Sequence, residues 1–374
     1  MTSSPIRTTS SYKVSHALTG LYLPTPGRLL PWPFQEMGRW RVDADADADE
    51  WVRGFTEWRS EHHIRIGFDD SLYRHPELEW AQGNFVHVLT MVEDRYFYDA
   101  MAGRYTVDRY LDDLESRFGR VDSVLIWYIY PDIGVDDRSQ FDLAYDLPGG
   151  VEGLKGVVAD FHRRSVKVFL PTMAWDNGTK PNEASDWERM AELVFATGAD
   201  GINGDTYSGV PLAFHKACEA RGRPVVLAPE STAHAGDHIL SWNVQSWSKR
   251  IPDESIPTVV KLKWLEPRHI VNIENRWSRN RTNDLQHAFF NGIGYVAWEN
   301  VFGFWNELTD RDAETLRRVA MILRRFRPLF TSAEWRPYER TLQFGIFASR
   351  FPGAGQTLWT MISRNEFPVE GEQI

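Results

Sequence analysis

The chain has 374 residues and a formal net charge of −10. That length suits one (β/α)8 barrel of about 250 residues with additions at each end, and the acidic balance argues against nucleic acid as a partner. A single cysteine, Cys218, excludes an intrachain disulfide, and the absence of an apolar run of about 20 residues or of a charged-then-apolar leader gives the expectation of a cytoplasmic protein with no membrane partner.

In chain order, residues 1–15 read as a polar tail and residues 16–83 as an extension packing on a barrel. The acidic run Asp43–Glu50 reads as a solvated lead-in to an amphipathic helix over Trp51–Arg59. It lacks the glycine and final glutamate of an EF-hand calcium loop. From residue 84 short β-branched and aromatic runs alternate with helical ones. The expected strands are Phe85–Val92, Ser123–Tyr130, Lys167–Met173, Asp200–Asn203, Pro224–Ala228, Thr258–Leu262, His269–Ile273 and Gly294–Trp298. Ile64–Phe68 is a further strand candidate that would move the count by one. Helices are expected at Val107–Arg117, Val151–Arg164, Ser185–Thr197, Val210–Arg221 and Asn283–Phe290, with Thr309–Arg327 as the closing helix, capped by Thr309. The fold class is therefore α/β, a TIM-like (β/α)8 barrel over residues 84–330. Two alternating runs within 331–374 read as the beginning of a C-terminal β-sandwich.

Active sites of such barrels lie where the strands end. The loops after the expected strands all carry a carboxylate, and most carry an aromatic residue. The sharpest pair is Asp205 and Glu230, which follow consecutive strands and are 25 residues apart, about one αβ unit. Two carboxyls over one mouth suit glycoside hydrolysis: one attacks or stabilises the anomeric carbon, the other protonates the leaving oxygen and then activates water. The bland alternative is a helix-capping Asp and a surface-loop Glu. Glu299 is the best competitor for the acid role. Asp132 and Asp176 are candidates for binding sugar hydroxyls, with a turn function as the equal alternative. Trp175, Trp264, Trp298 and Trp305 are expected to form aromatic walls, as the count of 16 tryptophans invites. Lys263, Arg268, Arg276 and Asn272 are expected to bind hydroxyls or support the pair, against a structural salt-bridge role for the arginines. His234 and His238, four apart with Asp237 between, are a weak metal edge in a loop containing Gly236. HExxH, GxSxG, Walker A and GxGxxG motifs are absent. No cofactor and no metal are expected, and the partner expected is a carbohydrate substrate.

The runs "SVLIWYIYPDIGVDDRSQFD", "FLPTMAWDNGT", "ADGINGDT", "VVKLKWLEPRH" and "GYVAWENVFGFWNELTDRDAETLRR" resemble a bacterial glycosidase-like barrel found in N-terminal regions of some formylglycine-generating-enzyme fusion proteins. The resemblance covers roughly residues 84–365, and the formylglycine-generating module itself has no counterpart here. More distantly, the placement of the acids is similar to retaining barrels of the endo-α-N-acetylgalactosaminidase kind. That resemblance implies an Asp nucleophile at the fourth strand and a Glu acid/base at the fifth, the places of Asp205 and Glu230 if Phe85–Val92 is the first strand. The expectation is a retaining glycoside hydrolase. The rival is a non-catalytic carbohydrate-binding or scaffold barrel, one module of a longer protein.

Overall fold

The structure, a computed structural model, describes residues 48–130, 133–176, 178, 183–230, 236–249, 257–277 and 280–374. Eight parallel strands form the central sheet: β1 (Val86–Met91), β2 (Ser123–Trp127), β3 (Lys167–Met173), β4 (Gly201–Asp205), β5 (Val226–Pro229), β6 (Gln245–Lys249), β7 (Ile270–Ile273) and β8 (Gly294–Ala297). Each pairs with its sequence neighbour, and β8 returns to β1, with register pairs such as His87 with Val296. The seam between β5 and β6 is held by one parallel bridge, Glu230 to Trp247. The result is a nearly closed (β/α)8 barrel.

The strands are buried on both faces, so they read as continuous apolar runs. Helix α1 (Ala48–Ile66) precedes the barrel, and α2 (Val107–Phe118) follows β1. Val107, Tyr110, Leu111, Leu114 and Phe118 line one stripe of α2 at three- and four-residue spacing and pack on the outer face of the strands. Inside, Leu89, Leu125, Phe169, Val226, Trp247 and Val296 fill the lumen. Glycine is required at Gly201, where an added Cβ would lie 2.3 Å from the Phe169 ring. At the bottom of the barrel polar side chains satisfy one another. The Asn84 amide donates to Gln245 (2.9 Å), Gln245 to Asn272 (3.1 Å), and Asn272 to the Asn84 carbonyl (3.1 Å).

Two expectations are corrected here. Ile64–Phe68 is the end of α1 and the turn after it, so Val86–Met91 is the first strand. The sixth strand is Gln245–Lys249, whereas Thr258–Leu262 runs into a short buried helix, α3 (Lys261–Leu265). The true strand was concealed because Trp247 is its only large apolar residue, and Gln245 and Ser246 find their polar partners in distant parts of the chain.

After the closing helix Asp310–Arg325, an antiparallel sheet forms from Arg336–Glu339, Ile346–Gly353 and Gln356–Ser363. The first of these strands was not expected. It supplies the third strand that two alone would need. Phe347, Phe351 and Ile362 share a core with Phe55 and Trp58 of α1 and with Trp335. No helix among the described residues is long and apolar enough to cross a membrane.

Candidate active site

Asp205 ends β4 and Glu230 directly follows β5. Register pairing of Gly204 with Pro229 sets the two residues side by side. The Glu230 amide donates to the Gly204 carbonyl (2.8 Å) and its backbone bridges to Trp247, so the barrel seam itself fixes its position. Thr206, the residue after Asp205, is in the left-handed region at φ 57°. That conformation aims its N–H at Glu230 Oε2 (3.0 Å). A non-glycine residue held there stores about 1–3 kcal/mol, a cost that clusters at functional sites.

Asp205 is 7% exposed. Burial raises its pKa well above the ordinary aspartate range; the Tyr130 hydroxyl opposes this by donating to Oδ2 at 2.5 Å, and the neighbouring Glu230 charge and a hydrogen bond to the Glu230 carboxyl push it up further. Two carboxyls that hydrogen-bond hold a proton between them. The Tyr130 hydroxyl is in turn held protonated, by burial first and then by the Asp205 carboxylate.

The floor and far wall of the mouth are aromatic. Trp127 stacks on Tyr130 at 5.2 Å and meets Trp247 and Trp298, each at 6.5 Å. Phe302, at the tip of the hairpin after β8 and itself at φ 51°, sets its edge against both Tyr130 and Trp298 at 5.1 Å. The Arg276 guanidinium lies 4.6 Å from the Trp298 ring and 3.7 Å from Glu274. Asn203 shares the inward face of β4 with Asp205, and both polar atoms of its amide are buried without a hydrogen-bond partner among the described residues. Tyr130, Thr206, Trp247 and Phe302 were not singled out from the sequence. Adjacency to a strand end could have flagged Tyr130, Thr206 and Phe302, whereas Trp247 lies inside a strand that left no periodic trace.

The other expected site residues divide. Trp298 joins the aromatic wall, with its indole N–H on the Asn300 carbonyl (2.8 Å). Trp175 and Trp305 stand exposed above the ends of β3 and β8. Asp176 lies at the end of β3 and holds a turn, its Oδ1 accepting from the Gly178 amide (3.3 Å). Asp132 and His234 lie outside the described residues. Lys263, Trp264 and Arg268 are corrected to the opposite rim, because the chain between α3 and β7 returns to the strand starts. Lys263 is buried and donates to the Pro267 carbonyl, and burial pushes its ammonium down to about 7. Trp264 stacks on Phe55 at 4.2 Å. Arg268 bridges Glu266 and Asp70. Asn272 is a member of the bottom amide ring.

Glu299 also turns away from the mouth. It takes two 2.7 Å bonds from Arg117 of α2 and one from the Leu308 amide (2.8 Å). Glu299→Gln is therefore expected to lower stability by about 1–3 kcal/mol, the usual cost of losing charged hydrogen bonds in a buried network, and to leave turnover unchanged. Thermal melts and rate assays on the same preparation check this; a collapse of turnover with an unchanged melt would return Glu299 to the acid role. Among the described residues no group of three or more His, Cys, Asp or Glu side chains is placed to hold a metal ion.

The fold is that of a (β/α)8 barrel. Similar solved structures include the maltogenic α-amylase AmyB from Thermotoga neapolitana, with 12% identity and a TM-score of 0.51 over 76% of this chain and 86% of that one. A maltogenic amylase from S. marinus follows at 9% identity and 0.51, over 78% and 63%. The ligand-free α-N-acetylgalactosaminidase NagBb from Bifidobacterium bifidum follows at 15% identity and 0.50, over 86% and 63%. This chain thus spans under two thirds of the last two proteins. At such identities the likeness establishes the barrel and nothing about the reaction. No protein-family model matches the sequence, and no curated protein does.

Proposed function

We propose that the protein is a retaining glycoside hydrolase acting on α-linked carbohydrate, with Asp205 as nucleophile and Glu230 as general acid/base. The observation that carries this reading is the placing of two interacting carboxyls side by side at adjacent strand ends, inside an aromatic mouth. In the first step Asp205 Oδ attacks the anomeric carbon while Glu230 gives its proton to the departing glycosidic oxygen. The C–O bond breaks and a glycosyl ester forms. In the second step Glu230 takes a proton from water, whose oxygen attacks the same carbon and frees Asp205. Retaining enzymes hold the two carboxyls about 5–5.5 Å apart and inverting ones about 6.5–9.5 Å; the close interaction of Asp205 with Glu230 favours the nearer spacing. The Tyr130 bond favours ionised Asp205, and the preference for α-linked substrates follows the resemblance to α-acting barrels.

A screen of 4-nitrophenyl α-glycosides tests the proposal, with Asp205→Asn as control. Turnover surviving in Asp205→Asn would sink the assignment. The second reading is a carbohydrate-binding barrel without hydrolysis, supported by the exposed Trp175, Phe304 and Trp305. The motifs' resemblance to N-terminal regions of formylglycine-generating-enzyme fusion proteins fits either reading, with the barrel as a module of a longer protein. Sugar binding with no turnover of any glycoside would favour the second.

A further inference from the structure

The end of the barrel opposite the carboxyl pair has a hollow of its own. It lies where β1, β2 and β3 begin and has a volume of about 360 Å³. Its wall includes Trp80, Arg120, Lys167, Arg324 and Arg327. The cations come from separate parts of the chain. Arg120 precedes β2, Lys167 opens β3, and Arg324 and Arg327 stand at the end of the closing helix and just beyond it. Three carboxylates, Glu79, Asp122 and Asp200, stand against these four cations. Two of the three are engaged elsewhere as well. Asp122 accepts the Phe85 and Val86 amides, and Asp200 accepts the Val168 amide and hydrogen-bonds His162. Positive charge is therefore left over at this spot, in a chain of net charge −10.

Hydrogen-bond donors are left over too. Among the described residues the Arg327 side chain gives one hydrogen bond, to Glu79 (3.0 Å), and the Lys167 side chain gives one, to Asp200 (2.9 Å). The Arg120 side chain is 60% exposed, and its guanidinium is 3.8 Å from Asp122, too far for a hydrogen bond. Lone surface cations are ordinary and solvated. Here three of them border one concavity with a half-buried indole. The Lys167 ammonium lies 5.4 Å from the Trp80 ring centre, and that ring is edge-on to Phe169. Gly83 lines the same hollow; a Cβ there would lie 3.1 Å from Arg327 Cδ, so the glycine leaves the arginine its place. A carboxylate offers its oxygens in one plane. A phosphate monoester offers three diverging acceptor oxygens, which suits donors arriving from separate elements.

We propose that this hollow binds a small phosphate ester, with its phosphate on Arg120, Lys167 and Arg327 and its ring against Trp80. The proposal does not rest on the glycosidase reading, because binding alone tests it. Isothermal titration calorimetry of the full chain at low salt, with inorganic phosphate, glucose 6-phosphate and AMP as probes, reads it directly. Saturable binding of at least one ester, tighter than that of inorganic phosphate, is expected. Whichever ester binds more tightly tells a sugar phosphate from a nucleotide. Arg120→Gln and Arg327→Gln should each weaken that ester about tenfold, the usual worth of one charged hydrogen bond. Both should melt like the parent, since exposed ion pairs contribute little. Trp80→Leu should weaken the ester and spare inorganic phosphate. Arg340→Gln, which removes an exposed arginine beside the C-terminal sheet, should leave binding as it was. No saturable binding of either ester overturns the proposal, and so does binding unchanged in both Arg120→Gln and Arg327→Gln. Esters held no more tightly than inorganic phosphate, or weakened equally by Arg340→Gln, also overturn it, because diffuse charge would then explain the heat.

Discussion

Asp205→Asn is expected to cut kcat on a 4-nitrophenyl α-glycoside by about 10⁴-fold or more, the scale seen when a nucleophile is removed. The amide is nearly isosteric and still accepts from Tyr130, so the barrel should keep its fold. Stability should move the other way. Burial and Glu230 raise the Asp205 pKa above its value in the unfolded chain. The folded state therefore binds that proton more tightly, and the stability it brings is complete below the ordinary aspartate range and is lost as pH rises through the raised value. The substituted amide has no such proton to lose. At neutral pH the variant should be more stable by about 1 kcal/mol, since a buried carboxylate is relieved, and its melting temperature should vary less across that window. Paired melts and rates against pH test both halves. A variant as inactive as expected but melting much lower would instead mean that Asp205 holds the barrel mouth together.

Replacing Glu230 by Gln is the second large effect. General acid–base groups contribute about 10²–10⁴-fold. The loss should therefore be large for sugars with poor leaving groups and much smaller for 4-nitrophenyl glycosides, whose phenolate departs without a proton. Azide should restore turnover as a glycosyl azide, because it needs no general base. The pH profile separates this role from a merely structural one. In the parent the working form of the pair keeps one proton, so kcat/KM should fall on the alkaline side as that proton leaves. Glu230→Gln removes the neighbouring charge that helps to raise the Asp205 pKa and, in the proposed mechanism, the proton donor, so the alkaline limb should disappear. A limb that persists unchanged in Glu230→Gln would assign the proton to another group.

Much of the barrel was legible because parallel strands and amphipathic helices leave periodic apolar traces. The helices expected at Val107–Arg117 and Ser185–Thr197 lie over the observed Val107–Phe118 and Asp186–Thr197. β3 is found at Lys167–Met173, and β4 reaches two residues past Asn203, so that Asp205 itself closes the strand. β6 left no such trace, because Gln245 and Ser246 are satisfied by Asn84, Asn272 and His269 from distant parts of the chain. Misplacing that strand put Lys263, Trp264 and Arg268 at the mouth, when the connection that carries them returns to the bottom.

Side-chain direction was the harder quantity. Trp298 and Glu299 are adjacent in sequence, yet the period of two sends Trp298 with Val296 into the lumen and Glu299 out to Arg117. Sequence by itself determined most of the element types and the placing of Asp205 and Glu230 near the ends of successive strands, since these follow from local periodicity. The tertiary structure alone decided that the two carboxyls interact, that Tyr130 binds one of them, and that Thr206 is held in a left-handed turn with its N–H on the other. Those contacts join residues 24 to 75 positions apart and depend on barrel closure, which no local pattern encodes.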